Sequence, residues 1–496
     1  MQPFLAHPFD SDRLHEECGI FGAIGVADAS NFVALGLHAL QHRGQEAGGI
    51  VAHDSEQGFN SAHRFGYVRD NFTKTDVMAT LPGPLAIGHV RYSTAGTKAN
   101  TAIRDVQPFF GEFSMGGCAI AHNGNITNAA ALRRELIERG SIFQSSSDSE
   151  CIIHLMARSI QRNIPERMKD ALRRVEGAFS VIAMTRTKLI GVRDPLGVRP
   201  LVLGKLSDDG FVLASETCAL DIIGAEFVRE IDPGEMVVIS KGKVETSRPF
   251  GPSQGRFCIF EHVYFSRPDS IIGGRSVYET RRQIGVELAR ESPVEADLVC
   301  PVPDSGTPAA IGFAQESGIP YGMGIIRNQY MGRTFIEPTD QIRNMGVRLK
   351  LNVNRALIRD KRVILVDDSV VRGTTSRKIK DMIIDAGAAE VHFRIASPPT
   401  AWPCFYGVDT PDRDKLLAAQ MTPEEMREWI GVDSLAFVSL NGLYRAVGEA
   451  KGRNGKCPQY CDACFSGDYP VAPFDQLERG FQMKPGSEST VNEAAE

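Results

Sequence analysis

The sequence predicts two folds in succession, an α+β unit followed by an α/β unit built on a parallel sheet. Three observations carry this expectation. The first half holds many short apolar runs that end in Gly, Asn or Asp, with only a few helical stretches among them. The second half alternates strand, helix and strand, the order that crossover helices impose on parallel strands. Between them, residues 241–256 carry Gly, Pro, Ser and charge without periodicity and read as a linker. At 496 residues the chain has room for two large domains or three of about 150 residues each, and either half can bury a sizeable core.

In the first half, strands are expected over residues 19–26, 85–89, 118–122, 179–184, 188–193 and 211–214. Helices are expected over 31–42, 128–139 and 149–162, with Ser147 or Asp148 in place to cap the last. In the second half, helix 277–290 precedes strand 298–302 and helix 308–315. Strand 362–366, helix 375–385 and strand 391–395 follow. Beyond Asp475 the tail is polar and is expected to be disordered at its end. The division is a leader over 1–17, one domain over 18–250, a second over 251–450 and a tail over 451–496.

Composition excludes several classes of function. Lys and Arg total 55 against 61 Asp and Glu, a net charge of −6 that gives no support to bulk binding of nucleic acid or anionic membrane. The leader carries Asp10, Asp12, Glu16 and Glu17 and lacks the apolar run of a secretory signal. No apolar run approaches the roughly 18 residues of a membrane span, so a cytoplasmic protein with reduced thiols is expected. Ten cysteines are too few for a disulfide scaffold in a chain this long, but Cys457, Cys461 and Cys464 are crowded together.

The most informative segment runs Val363-Ile-Leu-Val-Asp367-Asp368-Ser-Val-Val-Arg372-Gly373-Thr374-Thr375-Ser376. An apolar strand meets two acids and then a Gly-Thr-Thr-Ser turn opening a helix. Gly373 lets the backbone approach a ligand, and the following N–H groups and hydroxyls form an anion cradle. The acids would repel phosphate but suit ribose hydroxyls or a metal ion. Phosphate and sugar together mean a ribose 5-phosphate group. Pro303-Asp304-Ser305-Gly306, after another strand, suits pyrophosphate through its backbone N–H groups. The stretch from Arg327 through Arg333, Arg343 and Arg348 to Lys350 is cationic and suits a lid over a polyanion. No Gly-x-x-x-x-Gly-Lys-Ser/Thr sequence occurs, so ATP hydrolysis is not indicated.

In the first half, Cys18 opens the earliest apolar strand. A lone cysteine there is ordinarily a small core residue; its company points elsewhere. Leu40-Gln-His42-Arg43-Gly44, Arg91-Tyr92-Ser93-Thr94, Ala121-His122-Asn123-Gly124-Asn125 and Ser145-Ser-Ser-Asp148 all read as turns or helix starts. A thiol nucleophile needs an oxyanion hole, which the Asn123 amide and the Gly124 N–H can form. An amino-acid substrate needs a cation for its carboxylate and an anion for its amine, and Arg91 and Asp148 supply them.

The Asp367–Ser376 stretch resembles the phosphoribosyl pyrophosphate (PRPP) motif of type I phosphoribosyltransferases. The Cys18 set resembles the glutaminase domain of class II, N-terminal-nucleophile glutamine amidotransferases, whose fold is an αββα sandwich. The two together resemble the glutamine amidotransferases whose nitrogen acceptor is PRPP, from Cys18 to about Pro470. The resemblance implies transfer of the glutamine amide nitrogen to PRPP, giving 5-phosphoribosylamine, glutamate and pyrophosphate, at the first committed step of purine synthesis. It implies Cys18 as nucleophile once residues 1–17 are removed as a propeptide, with Asn123 and Gly124 as oxyanion donors and Arg91 and Asp148 binding glutamine. It implies PRPP on Asp304, Ser305, Arg333, Asp367, Asp368, Gly373, Thr374 and Thr375, and one Mg2+ at Ser305, Asp367 and Asp368. Purine nucleotides as feedback inhibitors and a homotetramer follow from the same likeness. A class II amidotransferase with another acceptor would leave Asp367-Asp368 and Gly373 unexplained. A regulator that senses PRPP and binds nucleic acid would leave Cys18 unexplained and conflicts with the net charge.

Cys461-Asp-Ala-Cys464 alone could be half a zinc site, a redox pair or chance. Cys258 and Cys404 could complete a four-thiol set. Residue chemistry leaves zinc and iron–sulfur equally open; the resemblance to the leader-bearing subgroup implies a [4Fe–4S] cluster on Cys258, Cys404, Cys461 and Cys464. Cys457 is a spare, at most a substitute for Cys461. Cys118, Cys151, Cys218 and Cys300 read as core.

Overall fold

A computed structural model describes residues 15–16, 18–91, 103–207, 209–328 and 351–484. Among these, seven antiparallel strands form the first sheet, in the order Glu226–Glu230, Val202–Lys205, Phe211–Ala214, Cys18–Ile24, Leu85–Arg91, Ala47–Asp54 and Gly58–Phe65. Six more make a second antiparallel sheet, ordered Lys243–Ser247, Met236–Ser240, Leu189–Arg193, Gly177–Met184, Gly116–Ile126 and Phe109–Phe113. The sheets face each other across Ile20, Ile24, Ile87, Ala119, Ala121, Ile182 and Val237. Helix Ala29–Ala39 covers the outer face of the first through Val33 and Leu37. Helices Ala129–Glu138, Glu150–Arg158 and Ile164–Leu172 cover the second. Four layers result, αββα, as the resemblance implies. Most of these strands are buried on both faces, and each Leu, Ile or Phe enclosed contributes about 1.5–3 kcal/mol.

The second half carries a four-stranded parallel sheet ordered Leu298–Pro301, Arg362–Asp367, Glu390–Ile395 and Ser434–Phe437. Helices Val277–Glu291 and Thr307–Ser317 supply Ile284, Leu288 and Phe313 to one core. Helices Thr374–Asp385 and Pro423–Ile430 supply Ile379, Ile383 and Met426 to another. Glycines set how closely the first pair pack: a Cβ on Gly285 would collide with the Ala309 carbonyl, and one on Gly312 with the Arg282 carbonyl.

Several expected boundaries move. Residues 149–162 are not one helix: Glu150–Arg158 ends, and Asn163 caps a new helix with Pro165 in its first turn. Neither Ser147 nor Asp148 caps the former; Ser149 is its N-cap, without a side-chain cap bond. The first part of the expected linker, Lys243–Ser247, is a strand of the second sheet; its polarity reflects an exposed edge. The tail past Asp475 does not fray at once, because helix Phe474–Glu478 docks on the sandwich: Asp475 N–H donates to the Thr127 carbonyl at 2.9 Å, and its carboxylate accepts from Ala130 N–H at 2.8 Å. His15–Glu16, at the end of the leader, pairs antiparallel with Val408–Asp409. No described helix is long and apolar enough to cross a membrane.

The glycine contact between helices gives a direct test. Gly312→Ala should lower unfolding free energy by about 1–3 kcal/mol, as overpacking does, read as a lower denaturation midpoint in the ligand-free protein.

Candidate active sites

The place of the expected nucleophile, Cys18, follows from register. Cys18 is the first residue of its strand and pairs directly with Arg91, the last of the neighbouring one. Side chains alternate, and Ile20 and Ile87 point between the sheets, so Cys18 and Arg91 lie on that inner face at one end of the sandwich. Ala119 and Ala121 face the same gap from the second sheet, which puts Asn123 there too. Asn123 and Gly124 are not in a turn, as the sequence implies, but inside strand Gly116–Ile126, because pairing with Gly177–Met184 continues to Ile126. Asn123 is completely buried, and neither its side-chain nitrogen nor its oxygen has a hydrogen-bond partner in the described structure. A buried amide left so costs about 1–3 kcal/mol per unmade bond, and an acceptor placed beside it would recover the share of its N–H groups. Gly124 adopts φ 140°, and a Cβ there would meet the Ala178 carbonyl, so glycine is required.

Arg91 Nη1 donates to the Asp105 carbonyl at 2.8 Å, and Ser146 N–H donates to the Asp105 carboxylate at 2.7 Å. Asp105, through its carbonyl on one side and its carboxylate on the other, thus ties the Ser145–Asp148 turn to Arg91. Asp148 accepts from Ile126 N–H at 2.9 Å and Ser149 Oγ at 3.0 Å, which fixes it beside the strand bearing Asn123. The structure therefore gathers Cys18, Arg91, Asn123, Gly124 and Asp148 at one end of the sandwich. Tyr92, Ser93 and Thr94 lie outside the described residues.

In the parallel sheet, both expected turns leave the carboxyl ends of adjacent strands, where open α/β sheets bind ligands. Asp367 ends its strand and Asp368 follows, both buried. Gly373, at φ 73°, starts helix Thr374–Asp385 with Thr374 and Thr375 in its first turn. The Pro303–Gly306 turn lies alongside: Val302 N–H donates to the Val366 carbonyl at 2.8 Å, and a Cβ on Gly306 would strike that same carbonyl. Ser305 Oγ is buried without a hydrogen-bond partner in the described structure. Two neighbouring buried carboxylates and an unsatisfied hydroxyl suit a hard cation such as Mg2+. Asp304 is exposed and ion-paired with Arg327. Arg333, with the rest of the basic stretch from 329 to 350, lies outside the described residues.

Four cysteines converge where tail, linker and parallel-sheet half meet. Phe257–Cys258 pairs in parallel with Tyr460–Cys461, with Cys258 opposite Cys461. The Cys464 carbonyl accepts from Ala401 and Trp402 N–H groups, each at 3.1 Å, which brings in the segment of Cys404. Burial pushes the Cys258 thiol up to about 12 and those of Cys461 and Cys464 well above the usual thiol range. Beyond burial, the neighbouring Cys258, Cys404 and Cys461 also raise the Cys464 thiol. Among the described residues no three of His, Cys, Asp and Glu gather tightly enough to hold a single ion. Cys457 stands apart, bonded through Sγ to Gln254. Cys118, Cys151, Cys218 and Cys300 are buried, with thiols raised to about 12 or beyond by burial, as core cysteines should be.

A family model for a glutamine amidotransferase domain matches residues 94–221. An amidophosphoribosyltransferase of Rhizobium etli is 56% identical over 475 residues, covering 95% of each chain. The chain belongs to the amidophosphoribosyltransferase family. The Bacillus subtilis member is 46% identical over 92% of this chain and 95% of its own length. A solved structure of an allosteric regulatory enzyme of purine biosynthesis superposes with a TM-score of 0.86 at 43% identity, covering 95% of this chain and 98% of that one. Glutamine PRPP amidotransferase from B. subtilis, complexed with ADP and GMP, also gives 0.86, at 44% identity over 92% of this chain and 98% of that one. Amidophosphoribosyltransferases are enzymes, and this chain is one: it transfers the glutamine amide nitrogen to PRPP at the first step of purine synthesis.

Sequence reading of this family member misses the polar groups buried around its sites. Arg43, Arg199, Glu216 and Glu261 form one buried ion network; its partners are far apart in sequence and carry no local signal. His89, two residues from Arg91, has both ring nitrogens without partners among the described residues, and burial lowers its pKa to about 3. Burial likewise lowers His262 to about 4. Both bind a proton more readily unfolded than folded, so stability is full above about pH 6.5, the unfolded value, and declines as pH falls towards the folded ones. His89→Leu should reduce that acid slope by about 1.4 kcal/mol per pH unit, measured by denaturant unfolding between about pH 4 and pH 6.

Proposed function

We propose that the family reaction is divided between two sites of this chain: a glutaminase site over residues 18–250 and a PRPP site over 251–450. The observation that carries the first is the Asn123 amide, fully buried and unpartnered on the inner face that Cys18 and Arg91 also line. Residues 1–17 are removed and the Cys18 α-amino group becomes the general base. Its reference pKa of about 7.7–8.0 lies close to the thiol's of about 8.5, so the proton moves readily near neutrality. The sulfur attacks the glutamine amide carbon, and Asn123 Nδ2 and Gly124 N–H take the oxyanion. The C–N bond breaks to release ammonia, and water hydrolyses the glutamyl thioester to glutamate. Arg91 holds the substrate carboxylate and Asp148 its amine.

Ammonia then attacks C1 of PRPP, and the C1–O bond to pyrophosphate breaks. Gly373, Thr374 and Thr375 cradle the 5-phosphate, Asp367 and Asp368 hold the ribose hydroxyls, and the backbone N–H groups of Asp304 and Ser305, with the Arg333 side chain, address the pyrophosphate. Ser305, Asp367 and Asp368 would hold Mg2+, which supplies charge neutralisation for the departing pyrophosphate. Ammonia in bulk water near pH 7 is mostly ammonium, so the acceptor site must be closed while it reacts.

Cys258, Cys404, Cys461 and Cys464 would hold a [4Fe–4S] cluster, which would tie linker, second domain and tail together without serving the reaction. The approach of the four cysteines, Cys258 and Cys461 buried and Cys404 and Cys464 half-buried, supports such a centre; iron rather than zinc rests on family likeness. The B. subtilis enzyme complexed with ADP and GMP supports purine nucleotides as regulators here. A homotetramer and a cytoplasmic location complete the reading.

Cys18→Ala should abolish glutamine-dependent synthesis of phosphoribosylamine and leave ammonia-dependent synthesis intact, whereas Asp367→Ala should lower both by about a hundredfold or more. Loss of both in Cys18→Ala would contradict the division of labour. Anaerobically purified protein should be brown, carry about four iron and four sulfide per chain, and begin at Cys18 by intact mass. Colourless protein containing zinc, or full activity with Met1 retained, would count against the cluster and the propeptide respectively.

A further inference from the structure

Away from the reacting groups, four charged side chains have no exposed surface at all: Arg43, Arg199, Glu216 and Glu261. Three belong to the sandwich half. Glu261 comes from the second half and opens the π-turn Glu261–Phe265, a rare conformation that recurs at functional places. Glu261 accepts from Arg43 Nη2 and Arg199 Nη2, each at 2.8 Å, while Glu216 accepts from Arg43 Nε. Burial works against the Arg43 charge, yet Glu216 and Glu261 raise its pKa above the ordinary value. The π-turn is itself clamped. Arg281, buried on helix Val277–Glu291, donates to the His262 carbonyl at 2.9 Å and the Ser266 carbonyl at 2.7 Å. The second half thus presents a carboxylate at a fixed point, and Arg43 reaches across to it.

Arg43 begins a turn that lies directly on the Cys18–Arg91 pair. A Cβ on Gly19, the neighbour of Cys18, would lie 3.4 Å from Arg43 Cβ. Gly44 rests flat on the next strand, where a Cβ would come within 2.6 Å of Arg91 N. Glu46 N–H donates to the Arg91 carbonyl at 3.1 Å. We propose that Glu261 is a positioning residue for glutamine: held by the second half, it fixes Arg43, and so the turn over residues 43–46, against Arg91, completing the glutamine carboxylate site across the domain boundary. This rests on the assignment of Arg91 and Cys18 to glutamine. A buried ion pair that served stability alone would affect both half-reactions equally, whereas a positioning residue acts on glutamine.

The test is Glu261→Gln in the whole enzyme as purified in its glutamine-active form, which keeps the side-chain volume and removes the charge. The KM for glutamine should rise about tenfold or more with kcat within about threefold, the pattern of lost ground-state binding. Ammonia-dependent synthesis should stay within about twofold. Glu261→Asp, which keeps the charge on a shorter arm, should move the glutamine KM in the same direction by less. Unchanged glutamine KM, an equal fall in both ammonia- and glutamine-dependent rates, or insolubility of both variants would overturn the inference. Cys18→Ala run in parallel separates the two claims. If it retained glutamine-dependent synthesis, the site assignment itself would fall; if it behaved as expected beside an unchanged KM in Glu261→Gln, only the role of Glu261 would.

Discussion

Charge neutralisation at one buried point organises this molecule. Arg43, Arg199, Glu216 and Glu261 are enclosed where the sandwich meets the second half, and no one of them could be buried alone. An unpaired charge in such a place costs several kcal/mol, and breaking a buried pair typically costs about 3–5 kcal/mol. The four must therefore be enclosed together, which obliges the π-turn to form, Arg281 to clamp it and the second half to sit in one orientation. Apolar packing between the halves, through Ala178, Val198, Phe260 and Phe265, supplies the driving force but not the direction. Direction comes from the ions, whose hydrogen bonds tolerate little displacement.

The thiol centre performs a related task by another route. Its Cys404 segment is a bridge between a candidate inorganic site and the strand that carries Asn123. Gly407 packs so closely on Gly124 that a Cβ would come within 2.9 Å of its Cα, and Asn125 Nδ2 donates to the Phe405 carbonyl at 2.9 Å. Whatever holds Cys404 in place therefore also backs the strand that carries Asn123. The candidate staple and the candidate glutaminase site share a wall, although nothing in the reaction requires an electron to move.

What could be read from the sequence followed local physics. The strand Arg362–Asp367 and the helix after Gly373 announce themselves because an apolar run, two acids and a glycine turn are contiguous. Cys18, Arg91, Asn123 and Asp148 are identifiable by chemical type, but the setting of Asn123 within a strand needed the pairing with Gly177–Met184. Strand Ala47–Asp54 is hard to see because its two glycines dilute the β signal, and Lys243–Ser247 because it is a polar edge. The ion network was illegible for a different reason. Glu216 and Glu261 lie 173 and 218 residues from Arg43, and no periodicity links residues so far apart.

The docking of helix Phe474–Glu478 bears on how the chain is made. Thr127 and Ala130 belong to the first domain to leave the ribosome, yet the partners of their backbone groups are on Asp475, more than 300 residues further along the chain. At about 5–20 residues per second, the sandwich waits tens of seconds with that surface incomplete. The first domain is therefore finished last, and a nascent chain that has just closed its sandwich is not yet the domain seen in the whole protein.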